Sequence, residues 1–273
     1  MTQLRRVALR LSYDGTDFAG WQRQREGERS VQGVVEEALT ELLGESVALA
    51  GAGRTDAGVH ALDQCAHFET RSAFPVEAFV PALAGKLPRD IAVWRAQEVP
   101  ADFHARYSAK MRSYQYLMVL ADKLLPPSCL SRHRVGHLRG RYDLDRMAAA
   151  ATLFLGEHDF RFFRSSQCQA DNPVRTVDEI AFRPLSPEAT AALGVLPGQI
   201  AAEMRVSARA FLMRQVRCMA GGLAMLGRGK LTEDDLRALL RGEPREAAKS
   251  GVIPAPAEGL TLSRVDYGPD API

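Results

Sequence analysis

Apolar and polar positions alternate with period two in several short runs of this chain, and recur with helical spacing in the runs between them. Val7, Leu9, Leu11 and Tyr13 alternate with Ala8, Arg10 and Ser12, which predicts a strand with one buried face. It ends at the turn residues Asp14-Gly15-Thr16. Ser30 is placed to cap a helix running to about Leu43, with Val31, Val34, Val35, Ala38 and Leu42 along one stripe. The apolar run 47–50 predicts a strand leading into a glycine-rich loop, and residues 64–69 read as its hairpin-like return. Residues 75–87 read as a helix with Pro75 at its start and Pro88 just past its end. Residues 91–99 are a further strand, so this half is predicted as β-α-β-β-α-β.

The second half repeats the mixture loosely. Strands are predicted at 113–120, 177–183, 200–207 and 260–267, and helices at 143–155, 211–226 and 232–240. A loop carries Pro126-Pro127, and residues 184–198 read as a surface insertion. Strands joined by short turns and mixed with helices predict an α+β fold with a largely antiparallel sheet. The division expected is 1–108 and 109–273.

The candidate chemistry sits at Gly51-Ala52-Gly53-Arg54-Thr55-Asp56-Ala57-Gly58-Val59-His60-Ala61. Its glycines permit positive φ and close backbone approach. Asp56 follows the guanidinium of Arg54 by two residues, and a carboxylate on a pinned loop can serve as nucleophile or base. An Asp before a glycine also commonly caps a backbone amide in a turn. Asp14-Gly15-Thr16 after a strand invites comparison with aspartate-nucleophile phosphatases, but the nucleophile position holds Ser12.

The complete string is similar to the signature of the tRNA pseudouridine synthase A family, whose catalytic nucleophile is the Asp of Gly-Arg-Thr-Asp-Ala-Gly-Val-His. The resemblance implies that role for Asp56. Three further stretches and the opening Tyr13-Asp14-Gly15-Thr16-x-Phe18-x-Gly20-Trp21-Gln22-x-Gln24 resemble the family in order. Phe103-His104-Ala105-Arg106-Tyr107-Ser108-Ala109, followed by Arg112-x-Tyr114, implies that Tyr114 faces the reacting uridine. Phe211-x5-Arg217-x3-Gly221 implies that Arg217 pairs with the catalytic aspartate. Glu258-Gly259-Leu260-x-Leu262 implies that Leu260 and Leu262 wall the pocket.

The fold implied is two α+β halves related by a pseudo-twofold and sharing one sheet, with helices on one face and the active-site cleft between the halves. The reaction implied is isomerisation of uridine to pseudouridine at positions 38, 39 and 40 of the tRNA anticodon stem-loop, without a cofactor, by a homodimer. Arg54 would fill the gap left by the flipped base or hold its phosphate. Tyr114 and Tyr116 share a strand face with Arg112, and the plain alternative is that both tyrosines pack the core.

Charge adds one point. Net charge is only +2, so an acidic partner must be met by local patches. Residues 204–230 carry five arginines and a lysine without an acid, and Arg132, His133, Arg134, His137, Arg139 and Arg141 form a second acid-free stretch. Arg214, Arg139 and Arg141 are therefore candidate RNA contacts, together with Arg106 and Arg112. In the helix predicted at 211–226, Gly221-Gly222 is expected to expose backbone for close approach of the RNA.

Cys129, His133 and His137 have helical ligand spacing but lack a fourth ligand, so no metal is expected. The four cysteines follow no pairing rhythm and no apolar run is long enough to span a bilayer, which points to reduced thiols in a cytoplasmic protein. The rival readings are a synthase with another RNA target and a non-catalytic tRNA-binding module. A binding module would have no use for a carboxylate that repels phosphate.

Overall fold

The computed structural model describes residues 3–24, 27–121, 126, 128–249 and 251–273; Pro127 of the predicted diproline loop lies outside them. The first half runs β1 (Arg5–Tyr13), α1 (Val31–Leu43), β2 (Ala50–Gly51), β3 (His60–Thr70), α2 (Phe79–Ala84) and β4 (Ile91–Val99). The second runs β5 (Met111–Ala121), β6 (Gly136–Arg139), α3 (Leu144–Ala151), β7 (Gly156–Asp159), β8 (Val174–Val177) and β9 (Glu179–Pro184). It continues through α4 (Pro187–Ala192), β10 (Ile200–Ala208), α5 (Gln215–Gly227), α6 (Glu233–Leu240) and β11 (Leu260–Asp266). The α+β expectation holds, with strand pairing mostly antiparallel.

The chain folds as two compact units, Met1–Arg112 with Thr261–Ile273, and Ser113–Leu260. In the first unit the strand order is β4-β1-β3-β11, with β2 also on β3. β1 pairs antiparallel with both β3 and β4, and β11 runs parallel to β3. β1 is buried on both faces, where the alternation predicted one. Ala8 is fully buried, and the buried Arg10 donates to both carboxylate oxygens of Asp63 and to the carbonyls of Val265 and Ile273. The small side chain and the satisfied guanidinium let the C-terminal segment cover the face that the pattern assigned to solvent.

α1 begins where Ser30 Oγ accepts the Gly33 amide at 3.2 Å and ends at Gly44, whose φ is 68°. The pairing of β1 with β3 slips by one residue between Leu11 and Tyr13. Such a bulge re-aims side chains at a strand end, and Tyr13 turns toward the loop that carries Asp56.

In the second unit the strand order is β5-β10-β9, with β6 parallel to β5, and β7 and β8 form a separate antiparallel pair. α5 is buried along most of its length, packed beside Phe163, Val252 and Met147. It is shorter than the predicted 211–226. Arg214 takes the left-handed conformation, φ 63°, and the Leu212 amide is held by Gln215 Oε1 at 2.8 Å. Residues 211–214 therefore form a turn that the helical spacing of Leu212 and Val216 conceals.

Candidate active site

The loop 52–59 is fixed from four sides within the first unit. The Ala52 amide donates to the Cys65 carbonyl at 2.7 Å. Gln64, 0% exposed, donates through Nε2 to the Gly53 carbonyl at 2.7 Å. Thr55 is buried, with its hydroxyl 2.8 Å from that of Tyr13, and its carbonyl accepts the Trp21 amide at 3.1 Å. The Gly58 amide reaches the Phe18 carbonyl at 3.3 Å and the Val59 amide reaches the Asp56 carbonyl at 3.2 Å. With Thr55 turned inward, Arg54 is exposed and Asp56 half-buried. The carboxylate is thus held on a stiff turn and kept partly open to a reactant.

The loop's glycines divide between the two uses that the sequence suggests. Only Gly58 takes a positive φ, 76°. Gly51 is required because the Trp21 ring occupies the place of a Cβ, with ring atoms 2.5 Å from it.

Arg112 has a role that charge alone does not reveal. It is buried, and its Nε and Nη2 donate to the Ala52 carbonyl at 3.1 and 2.7 Å while Nη2 also reaches the Arg106 carbonyl at 2.7 Å. It braces the base of the Asp56 loop. Arg106, by contrast, is exposed. Leu262 is fully buried and pairs with Ala61 just past the loop.

The remaining candidates lie in the second unit. Tyr114 and Tyr116 alternate with Ser113 and Gln115 on β5, both ring faces inward. Tyr114 is 8% exposed and meets Phe211 edge-on at 5.3 Å between centroids. Tyr116 is fully buried and donates to the Pro256 carbonyl at 2.9 Å; burial, reinforced by Glu258, pushes its phenol far above the usual range. Tyr116 thus fits the core reading. Leu260 is buried at the unit's last position.

Arg217, one turn into α5, is half-buried and clasped by the chain that follows the helix. Its Nε donates to the Ala255 carbonyl at 2.8 Å, and the Ala255 amide returns to the Arg217 carbonyl at 2.9 Å. The same strap explains Gly221: a Cβ there would stand 2.0 Å from the Ile253 carbonyl oxygen. The expectation that Gly221-Gly222 offers backbone to RNA is corrected accordingly. Gly221 receives residues 253–255, and Gly222 faces Phe163 and Val252.

Arg132, Arg134, Arg139, Arg141 and Arg214 are all exposed. The structure adds Arg228, whose guanidinium lies over the Tyr142 ring at 5.9 Å and against Gly140. It thereby joins the end of α5 to the basic stretch around β6. Only folding brings these segments together; an arginine beside a helix-ending glycine carries no such signal. Among the described residues no group of three or more His, Cys, Asp or Glu side chains is placed to hold a metal ion, and no helix is long and apolar enough to cross a membrane.

A family model described as tRNA pseudouridine synthase matches residues 11–108 and 150–268, well over half of the chain. The chain belongs to the tRNA pseudouridine synthase family. It is 39% identical over 264 residues to a tRNA pseudouridine synthase A of Acetivibrio thermocellus, covering 97% of this chain and 100% of that protein. The corresponding values are 40%, 97% and 98% for that of Citrifermentans bemidjiense, and 41%, 96% and 95% for that of Paramagnetospirillum magneticum. Family and reaction class, an isomerase converting uridine in tRNA, stand as the motifs implied.

Proposed function

We propose that this chain forms pseudouridine at positions 38, 39 and 40 of the tRNA anticodon stem-loop, with Asp56 as nucleophile. The observation that carries the proposal is the Asp56 loop itself. A half-buried carboxylate stands next but one to an exposed guanidinium, on a turn braced by Tyr13, Gln64 and Arg112. The isomerisation breaks the bond between N1 and ribose C1′, turns the base, and joins C5 to C1′. C5 loses a proton and N1 gains one, so no oxidant, energy source or cofactor is consumed.

In this reading a stacked uridine is extruded before reaction, and Arg54 fills the vacated place or holds its phosphate. Asp56 then attacks C1′ or C6 of the base, or withdraws the 2′ proton. Tyr114 packs the base and accepts the C5 proton, Arg217 supplies the charge that orients the carboxylate, and Leu260 and Leu262 exclude water. Segment 1–108 carries the nucleophile and 109–273 completes the RNA-binding surface, in a cytoplasmic homodimer.

Position-resolved mapping of pseudouridine on unmodified tRNA transcripts tests the proposal, with wild-type protein and Asp56→Asn side by side. Signal confined to the anticodon stem-loop and absent in the variant supports it. Signal at other uridines keeps the reaction and changes the target. Absence of signal from folded wild-type protein that still binds tRNA would leave a binding module.

Two substitutions examine the supporting residues. Tyr114→Phe is expected to bind tRNA normally and lose roughly 100-fold in kcat, as for a lost proton-transfer group; full activity would remove the hydroxyl from the mechanism. Charge reversal at Arg139 and Arg141 together is expected to weaken tRNA binding and to flatten its dependence on salt by about one logarithmic unit per arginine. An unchanged slope would place this stretch away from the RNA.

A further inference from the structure

Tyr107 is 72% exposed, against 49% for Trp94, yet its segment is held firmly. The amides of Arg106 and Tyr107 both donate to His104 Nδ1, at 3.1 and 3.4 Å. The His104 amide bonds Ser108 Oγ at 3.0 Å, and the Ser108 amide returns to the His104 carbonyl at 2.9 Å. Beneath this turn the Ala105 amide donates to His67 Nδ1 at 3.2 Å and its carbonyl accepts the Tyr267 hydroxyl at 2.7 Å. Burial, with Arg6 close by, holds His104 below the usual histidine range, so its Nδ1 lone pair remains available to the two amides. The His104 and Tyr107 rings lie 4.4 Å apart. Preorganisation of this kind presents an aromatic face without an ordering cost on binding.

The charge beside the ring has the sign that nucleic acid requires. The Arg106 guanidinium is 5.7 Å from the Tyr107 centroid, and among the described residues no carboxylate pairs with it. Arg112 ties this turn to the Asp56 loop, since its Nη2 bonds the carbonyls of both Arg106 and Ala52. A rigid, exposed ring with an unneutralised guanidinium at its edge matches a base stacked on an aromatic face with its phosphate on the cation.

We propose that Tyr107 and Arg106 form a stacking platform for an unpaired nucleotide of the RNA substrate, near the one that reacts. The platform rests on the tRNA-modifying reading above. It is a substrate-positioning site, distinct from the residues assigned to bond making.

The test uses the full chain with an unmodified tRNA transcript. Stacking energies for single bases predict that Tyr107→Ala raises Kd about 10-fold, with the loss falling in KM more than in kcat and the melting temperature unchanged. Tyr107→Phe is expected to bind like wild type, because stacking needs the ring and not the hydroxyl. Tyr107→Trp adds an indole whose emission, taken as the difference from wild type, is expected to be quenched by tRNA. Wild-type affinity in Tyr107→Ala, or unquenched emission at saturating tRNA, overturns the platform. A change in sedimentation of Tyr107→Ala without RNA also overturns it, by assigning the ring to contact between copies of the chain. If wild-type protein makes no pseudouridine, the underlying reading fails; if it does and Tyr107→Ala binds normally, the platform alone fails.

Discussion

Asp56→Asn is expected to abolish formation of pseudouridine, with a loss on the order of 10^4-fold or more, while tRNA binding and thermal melting stay near wild type. Losing a nucleophile costs far more than losing a binding contact, because the interaction is made only as bonds change. The substitution is nearly isosteric, and several contacts that shape the loop run between other groups: the Thr55 and Tyr13 hydroxyls, Gln64 to the Gly53 carbonyl, and the Gly58 amide to Phe18. The Asp56 carbonyl, which accepts the Val59 amide, is untouched. Multiple-turnover assays with tRNA in excess over enzyme provide the measurement. Sustained turnover by the variant would sink the nucleophile assignment, and a fall in melting temperature would recast Asp56 as a turn-forming residue.

The second large effect is on stability. Gly221→Ala would ordinarily favour a helix by up to about 1 kcal/mol. Here the added Cβ meets the Ile253 carbonyl oxygen at 2.0 Å, a backbone atom that cannot swing aside. Overpacking of this severity costs about 2–4 kcal/mol net of the propensity gain, which for a chain of this size lowers the melting temperature by roughly 5–10 °C. The displaced strap also carries Ala255, which clasps Arg217 through two hydrogen bonds, so activity is expected to fall with stability. Gly85→Ala is the control: its φ is ordinary and its nearest new contact is 3.7 Å. Equal melting of Gly221→Ala and wild type would show that residues 253–255 move aside freely.

How far the elements were legible depended on what made them. β4 was predicted at its observed bounds, because Ile91, Val93 and Val99 alternate and pair against one neighbour, β1. α1 was equally plain, with a serine cap and an apolar stripe. The predicted strand at 47–50 shrinks to Ala50–Gly51, the two residues that pair with His67 and Ala66 of β3. α4 hides in the stretch read as an insertion, although Ser186 and Pro187 form its cap and first turn; the cap signal was present, but the helix has no apolar stripe to accompany it. The start of α5 could not be placed from spacing, because a left-handed arginine looks like any other arginine in a sequence.

The sequence by itself determined the family and singled out Asp56 as the candidate nucleophile, because an aspartate, its neighbouring arginine and the loop's small residues lie within one contiguous string. It also determined the α+β class, through periodicities that depend only on near neighbours. The tertiary structure alone decided which arginines are structural and which face solvent. Arg10 and Arg112 are consumed by carbonyls and a carboxylate from distant segments, whereas Arg54, Arg106 and Arg139 remain exposed. It alone decided that Gly221 receives the chain's own strap, and that Arg228 reaches the basic stretch around Gly140. The physical reason is the same in each case: a hydrogen-bond partner or a steric neighbour tens of residues away leaves no imprint on local pattern.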